Sequence, residues 1–428
     1  MVNDETADVG SYYEHSAVRP APAAALQGSL RTDICVVGAG IAGLSTALHL
    51  AARGYQVSVL EQQRVGWGAS GRNGGQVLAG VAASQAKLRA LLGASDAALI
   101  WQVSVEGVAL TRELIRRHQI DCDWVSGHMS VAIKPRQVRE LKATQAELAA
   151  LGGAPTRWLE AEDLRAVLPS TRYRAGLFDS DTGHMHPLRY TLGLAQAARE
   201  AGVSLYERSR ALDFATGPEG VRVRTSSGEV RCAQLLLAGN AWLGRTAPPL
   251  ARKIIGIGTH IVATEVLGEE RATALIRNNA AVYDLNWVVD YFRRSSDHRL
   301  LFGGRVSYSG VTLADLTQAT RARMLGVFPQ LADTRIEYSW GGLVDITMNR
   351  APHFGRLAPN VWFLQGFCGH GLALATIAGQ CLAEAVAGTS ERFDVFARIP
   401  HRDFPGGPAL RRPALALAML WYRLRDLL

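Results

Sequence analysis

Thr32-Asp33-Ile34-Cys35-Val36-Val37-Gly38-Ala39-Gly40-Ile41-Ala42-Gly43 is the stretch that decides the fold. Its first half is a short apolar, β-branched run of the kind that becomes a buried parallel strand. Gly38 then permits a tight turn, Gly40 lets the backbone approach a pyrophosphate, and Gly43 allows a helix to pack closely on the strand. Leu44, Ala47, Leu48 and Ala51 follow at helical spacing, and Gly54 ends the run. The helix opens at Ile41 and Ala42, so its unpaired N–H groups and positive dipole end point at the phosphates. A second strand, Gln56-Val57-Ser58-Val59-Leu60, ends in Glu61 and Gln62. Glu61 stands where an acid accepts hydrogen bonds from a ribose diol, and its charge disfavours a 2′-phosphate. Strand, glycines, helix, strand and acid in register predict a dinucleotide-binding βαβ unit.

That fingerprint does not distinguish nicotinamide from flavin dinucleotides. The next segment does: Arg64-Val65-Gly66-Trp67-Gly68-Ala69-Ser70-Gly71-Arg72-Asn73-Gly74-Gly75-Gln76. A loop so rich in glycine, with short polar side chains among them, suits a long cofactor followed past its pyrophosphate towards a ring. Gly68, Ala69, Ser70, Arg72, Asn73, Gly74, Gly75 and Gln76 are therefore expected to contact FAD. No second G-x-G-x-x-G follows. One FAD, reduced directly by the substrate, is the simpler expectation.

With Gly68 to Gly75, two later segments carry a resemblance: Leu235-Leu236-Leu237-Ala238-Gly239-Asn240 and Gln365-Gly366-Phe367-Cys368-Gly369-His370-Gly371. Together they resemble the D-amino-acid oxidase-like flavoproteins, which include glycine and sarcosine oxidases, from about residue 30 to about residue 390. Ser11-Tyr12-Tyr13, Ile120-Asp121-Cys122-Asp123 and Phe404-Pro405-Gly406-Gly407 are similar to the bacterial gamma-glutamylputrescine oxidase branch and its amine- and imino-acid-oxidising relatives. The resemblance implies an α/β fold. A discontinuous Rossmann-type FAD-binding domain would comprise 27–85, 186–250 and 341–390. An inserted α+β substrate domain on an antiparallel sheet would comprise 86–185 and 251–340, leaving 391–428 as a tail. It adds Ala238, Gly239, Gly369, His370, Gly371 and Leu372 to the expected FAD contacts. The family's covalent flavin attachment precedes the proline of Arg350-Ala351-Pro352, and residues 345–349 contain no cysteine. Non-covalent FAD is expected.

Composition narrows the function classes. The chain has 428 residues, 48% apolar and 20% charged, and a formal charge of +8. Only four of its 46 basic residues are lysines (Lys87, Lys134, Lys142 and Lys253), and the arginines are scattered. No basic run interleaves with aromatics, so a nucleic-acid partner is not expected; a basic surface suits anionic ligands. Five widely spaced cysteines, an odd count without C-x-x-C, suit a reducing compartment. Residues 1–14 show neither a basic nor an apolar signal region, and no apolar run is long enough to span a bilayer. The cytoplasm is the expected address.

Helical spacing is expected over 84–151, broken by a strand at 129–133, and again from Pro187 to 201. Strands are expected at 203–206, 221–224 and 235–237, and in the substrate sheet at 259–265, 287–293 and 300–303. After Ser390, prolines and glycines keep the chain irregular until a helix at 414–428, flanked by Arg411, Arg412, Arg423 and Arg425. That helix is expected to dock on the body; the alternative is peripheral contact with the inner membrane.

Oxidation of an amine to an imine moves a hydride from carbon to the flavin, so the substrate must lie over the ring as a neutral amine. The helix opened by His370 is implied to favour negative charge on the reduced ring, and His370 is a catalytic candidate. Amino-acid-oxidising relatives place an arginine shortly after Gly342-Leu343; here Val344 and Asp345 follow. Arg305 is the expected carboxylate clamp in its place. Tyr291, Trp340 and His260 are candidate pocket walls. His184 and His186 are read as a turn before Pro187 and not as metal ligands. These features favour a small amino or imino acid such as L-pipecolate, with a gamma-glutamyl-polyamine as the alternative. A flavin subunit of a multi-chain complex is a third reading. Oxygen or a respiratory carrier would accept the electrons, and the oligomeric state is left open.

Overall fold

The computed structural model describes residues 10–307 and 313–405. The expected helix at 414–428 lies outside them. Two large sheets organise the chain. The first has eight strands, with Gly28–Val37 near its centre. This strand pairs in parallel with Val57–Leu60 on one side and Gly228–Leu237 on the other. Ser204–Tyr206 extends the parallel set at one end and Val361–Gln365 at the other. Burial of Ile34 to Val37 on both faces explains their unbroken apolar run.

Helix Ile41–Ala51 follows the first strand and packs against helix Gly371–Val386, whose outer side meets helix Ala94–Arg117. Ser45 on the first of these donates to the Thr376 carbonyl on the second (2.6 Å). Each of these two helices follows a strand of the parallel set, Gly28–Val37 and Val361–Gln365, and so begins beyond its carboxyl end. Such carboxyl ends of parallel strands are where α/β folds bind ligands.

The second sheet has nine strands, built around the long pair Ile254–Thr264 and Ile336–Thr347. It is mixed: Ala281–Asp284 pairs in parallel with Val125–Ala132, a pairing of residues 153 apart in the chain that local pattern does not specify. Gln76–Val77 forms its far edge, pairing with Gly183 and His184. Ile336–Thr347 stays in this sheet beyond residue 341, and the chain re-enters the first sheet at His353–Ala358.

Two local expectations need correction. The strand expected at 287–293 begins only at Tyr291, because 285–290 forms a loop tied across its base by Asp284 and Asp290. Helix Glu391–Ala397 precedes Pro400 where irregular chain was expected; its Phe393 and Phe396 are buried against Trp362 and Phe354. The helix from 187 is capped by His186, whose Nδ1 accepts from the Arg189 N–H (3.2 Å). Among the described residues no single helix is long and apolar enough to cross a membrane.

Candidate active site

One cavity of about 730 Å³ runs from the glycine turn of the first sheet to the face of the second. At its first end Gly38 has φ +110°, and a Cβ there would stand 2.8 Å from the Ala238 carbonyl oxygen. A Cβ at Gly43 would stand 2.0 Å from the Gly38 carbonyl oxygen, so close helix–strand packing requires glycine there. Glu61 is buried, and its carboxylate accepts from the Ala39 N–H and the Gln63 N–H, both at 2.8 Å. Burial raises its pKa, and those N–H groups oppose the rise. It therefore ties the second strand to the glycine turn while still lining the cavity.

Helix Ile41–Ala51 starts at Gly40 without a side-chain cap from that residue. Ser70, arriving from the glycine-rich loop, accepts from the Ile41 N–H (3.0 Å). Helix Gly371–Val386 also starts uncapped, since the His370 side chain makes no capping hydrogen bond. Two positive helix ends therefore open into one cavity at separate places, an arrangement that suits a long anionic molecule.

Of the residues expected from the sequence, Gly38, Gly40, Ile41, Ala42, Glu61, Gln62, Gly68, Ala69, Ser70, Asn73, Gly74, Gln76, Ala238, Gly239, Gly369, His370, Gly371 and Leu372 line this cavity. Gly43, Gly75 and Arg72 do not. Arg72 turns away: its Nε donates to the Trp67 carbonyl (2.6 Å) and its guanidinium lies 4.4 Å over the Trp67 ring. Tyr291 does face the cavity, its ring against Gly74 and Gly303, where a Cβ would stand 2.6 Å and 2.3 Å from the nearest ring carbon.

His260 and Trp340 are not cavity walls. His260 is buried with its ring nitrogens 3.0 Å from the Thr320 and Ser339 hydroxyls. Trp340 is core and donates to the Arg72 carbonyl (3.0 Å). Arg305 lies on strand Leu300–Ser307, in register with His260. His184 bonds the Asn279 carbonyl and His186 the Ser16 hydroxyl. No group of three or more metal-ligating side chains occurs among the described residues.

Several cavity residues escaped sequence reasoning. Asp345 was marked only as a missing arginine, yet it is a buried carboxylate in the wall. It accepts from the Gly366 N–H, its carbonyl accepts from the Cys368 N–H (3.1 Å), and burial raises its pKa to about 6. Arg350, Arg210, Tyr283, Trp287 and Met348 also line the space. Cys368 lines it too, but its thiol is bonded to Thr347 and pushed up to about 11 by burial. His370 is pushed down to about 4, by burial first and by the Arg350 charge second. His370 is therefore neutral above about pH 5. A His370→Asn variant should keep the wild-type pH dependence of flavin reduction by amine. A pH limb near neutrality lost on this substitution would contradict that.

The residues present fit FAD: a glycine turn, an acid at the strand end, two open helix ends and a continuous channel between them. A family model for FAD-dependent oxidoreductases, the DAO family, matches residues 33–385. Gamma-glutamylputrescine oxidoreductase of Escherichia coli (strain K12) is 40% identical over 98% of this chain and 99% of its own length. A probable oxidoreductase, OrdL, of Haemophilus influenzae is 37% identical over 92% of each chain. Glycine oxidase from Bacillus cereus has a similar structure, with a TM-score of 0.72, 21% identity, and coverage of 87% of this chain and 99% of that one. That last likeness concerns the fold.

Proposed function

Because the chain belongs to the DAO family of FAD-dependent oxidoreductases, an enzyme class that oxidises amines, we propose that its substrate is gamma-glutamylputrescine, at the free amine of the putrescine end. What most supports this reading is 40% identity along 98% of the chain to an oxidoreductase of that name. Gamma-glutamylputrescine is preferred to L-pipecolate because the relative that is 40% identical along nearly the whole chain is named for the former. The carboxylate clamp that favoured a compact imino acid rests on Arg305 alone.

Bound FAD supplies the two-electron acceptor for the C–N carbon of the amine. The chain's own residues bind and orient. The Gly38–Ile41 turn and the first helix end would hold the pyrophosphate of FAD and Glu61 its ribose, while the loop from Gly68 to Gln76 lines the cavity that reaches the second helix end at Gly371. There the helix end and Arg350 put positive charge on the cavity wall, which would favour added electron density on a flavin ring bound beside it. Tyr291 walls the substrate side, and His370, elsewhere on the cavity wall, stays neutral. No general base is needed when the amine loses its proton to solvent before binding. The first sheet carries the cofactor half and the second sheet the substrate half.

A steady-state comparison tests the substrate. The value of kcat/KM should be on the order of a hundredfold higher for gamma-glutamylputrescine than for L-pipecolate, roughly 3 kcal/mol of differential transition-state binding. Equal or reversed preference overturns the assignment while leaving the amine chemistry standing.

A further inference from the structure

Among the cavity walls, one is a loop held by charges. Loop 285–290, between strands Ala281–Asp284 and Tyr291–Arg294, contributes Trp287, Val288 and Val289 to the lining. Trp287 is 45% exposed, and Met348 on the same cavity is 47% exposed. Large apolar side chains left this open are few among the described residues, and both of these line the cavity. Tyr283 and Tyr291, paired on the strands that flank the loop, and Val288 within it add further aromatic and apolar lining.

The loop is fixed from four directions. Across its base the Asp284 N–H donates to the Asp290 carbonyl (2.9 Å), and the Asp290 N–H donates to Asp284 Oδ1 (3.1 Å). The Asn286 side chain donates to Asp284 Oδ2 (3.0 Å) and accepts from Gln137 (3.0 Å). The fully buried Asp290 carboxylate meets Arg323 at 2.5 Å and Arg172 at 3.3 Å. Arg323, on helix Leu313–Val327, also donates to the Val288 carbonyl (2.7 Å). Gly304 closes the last side: a Cβ there would stand 2.3 Å from the Val289 carbonyl oxygen. A fully buried carboxylate is costly to desolvate, and the use that best repays it is to enforce one arrangement.

We infer that loop 285–290 is the specificity-determining rim of the amine site, with Trp287 packing on the methylene chain of the substrate and Asp290 acting as the positioning residue that holds Trp287 in place. This rests on the reading that the cavity holds the flavin and its amine. A linear diamine derivative presents several consecutive methylenes between its reacting amine and its polar end, and an apolar throat gains from burying them. A short amine reaches the ring without touching the rim.

Two variants test the rim, with FAD content and melting temperature measured on each. Trp287→Ala, at an exposed position that leaves the core intact, should raise KM for gamma-glutamylputrescine about tenfold with kcat within about twofold, the pattern of lost uniform binding. Its KM for propylamine should not change. Asp290→Asn should reproduce this split and speed hydrogen exchange in the peptide spanning 281–294. Arg323→Lys should retain more of the wild-type KM than Arg323→Met. An unchanged KM in Trp287→Ala overturns the rim. Faster exchange in Asp290→Asn without a change in KM overturns the positioning role. If the wild type oxidises a different long-chain amine instead, the substrate assignment falls, and the same long-against-short comparison is made with that amine.

Discussion

Gly40→Val should give a folded, colourless protein whose affinity for added FAD is lower by on the order of a hundredfold or more. At Gly40 a Cβ would stand 2.8 Å from the Ser70 hydroxyl, the group that accepts from the Ile41 N–H. Valine adds two methyl groups beyond that Cβ, in the stretch of cavity framed by Gly38, Ser70 and the helix end. Ser70 can swing aside, so the fold survives. The space beside the open N–H groups does not, and a pyrophosphate needs close backbone approach there. Absorbance and circular dichroism of the purified variant separate the two effects. A yellow variant with normal FAD content contradicts this placement of the pyrophosphate.

The second large effect is loss of stability in mild acid. His128, His184 and His186 are only 3%, 2% and 1% exposed, and burial pushes each down to about 3. The buried Arg293 guanidinium adds to the depression of His184 and His186, and His370 to that of His128. Their folded pKa lies below the unfolded value near 6.5, so the unfolded chain binds more protons between the two. The stability they contribute is therefore complete above about pH 6.5 and falls as the pH drops towards their folded value. At about pH 5.5 each gives up about 1 kcal/mol, a sizeable share together of the 5–15 kcal/mol typical of a folded protein. Asp284 and Asp345, raised to about 7 and about 6, act in the opposite sense and offset part of the loss. Denaturant titrations should show a net decrease on the order of 2 kcal/mol from about pH 7.5 to about pH 5.5. Constant or rising stability over that range contradicts neutral, buried histidines.

What the sequence disclosed follows the range of the interactions concerned. The first strand, its glycines and Glu61 interact within some 30 residues, so spacing alone carries their geometry, and the structure places them in register. The loop from Gly68 to Gln76 stood out by its glycine-rich composition, and the structure puts Gly68, Ala69, Ser70, Asn73, Gly74 and Gln76 of it on the cavity wall. Arg72 was misplaced because its partner, the Trp67 ring, competes locally for the guanidinium. Asp345 was passed over because its role comes from Gly366, on a segment that returns to it only in three dimensions. Residues 287–290 read as the start of a strand because Val288 and Val289 are β-branched, whereas Asp284, Asp290 and two distant arginines set the path of the loop they belong to. His260 and Trp340 show the converse: polar or aromatic character on a sheet strand did not separate a cavity wall from a satisfied core residue.

Anaerobic titration of the purified yellow protein with gamma-glutamylputrescine tests the central claim most directly, because it needs no electron acceptor. The account predicts that the oxidised flavin band bleaches completely at about one equivalent of amine per FAD, one two-electron transfer for each C–N bond oxidised. A flavin that stays oxidised with this amine, and with a panel of primary and secondary amines, would contradict the assignment of this cavity to amine oxidation.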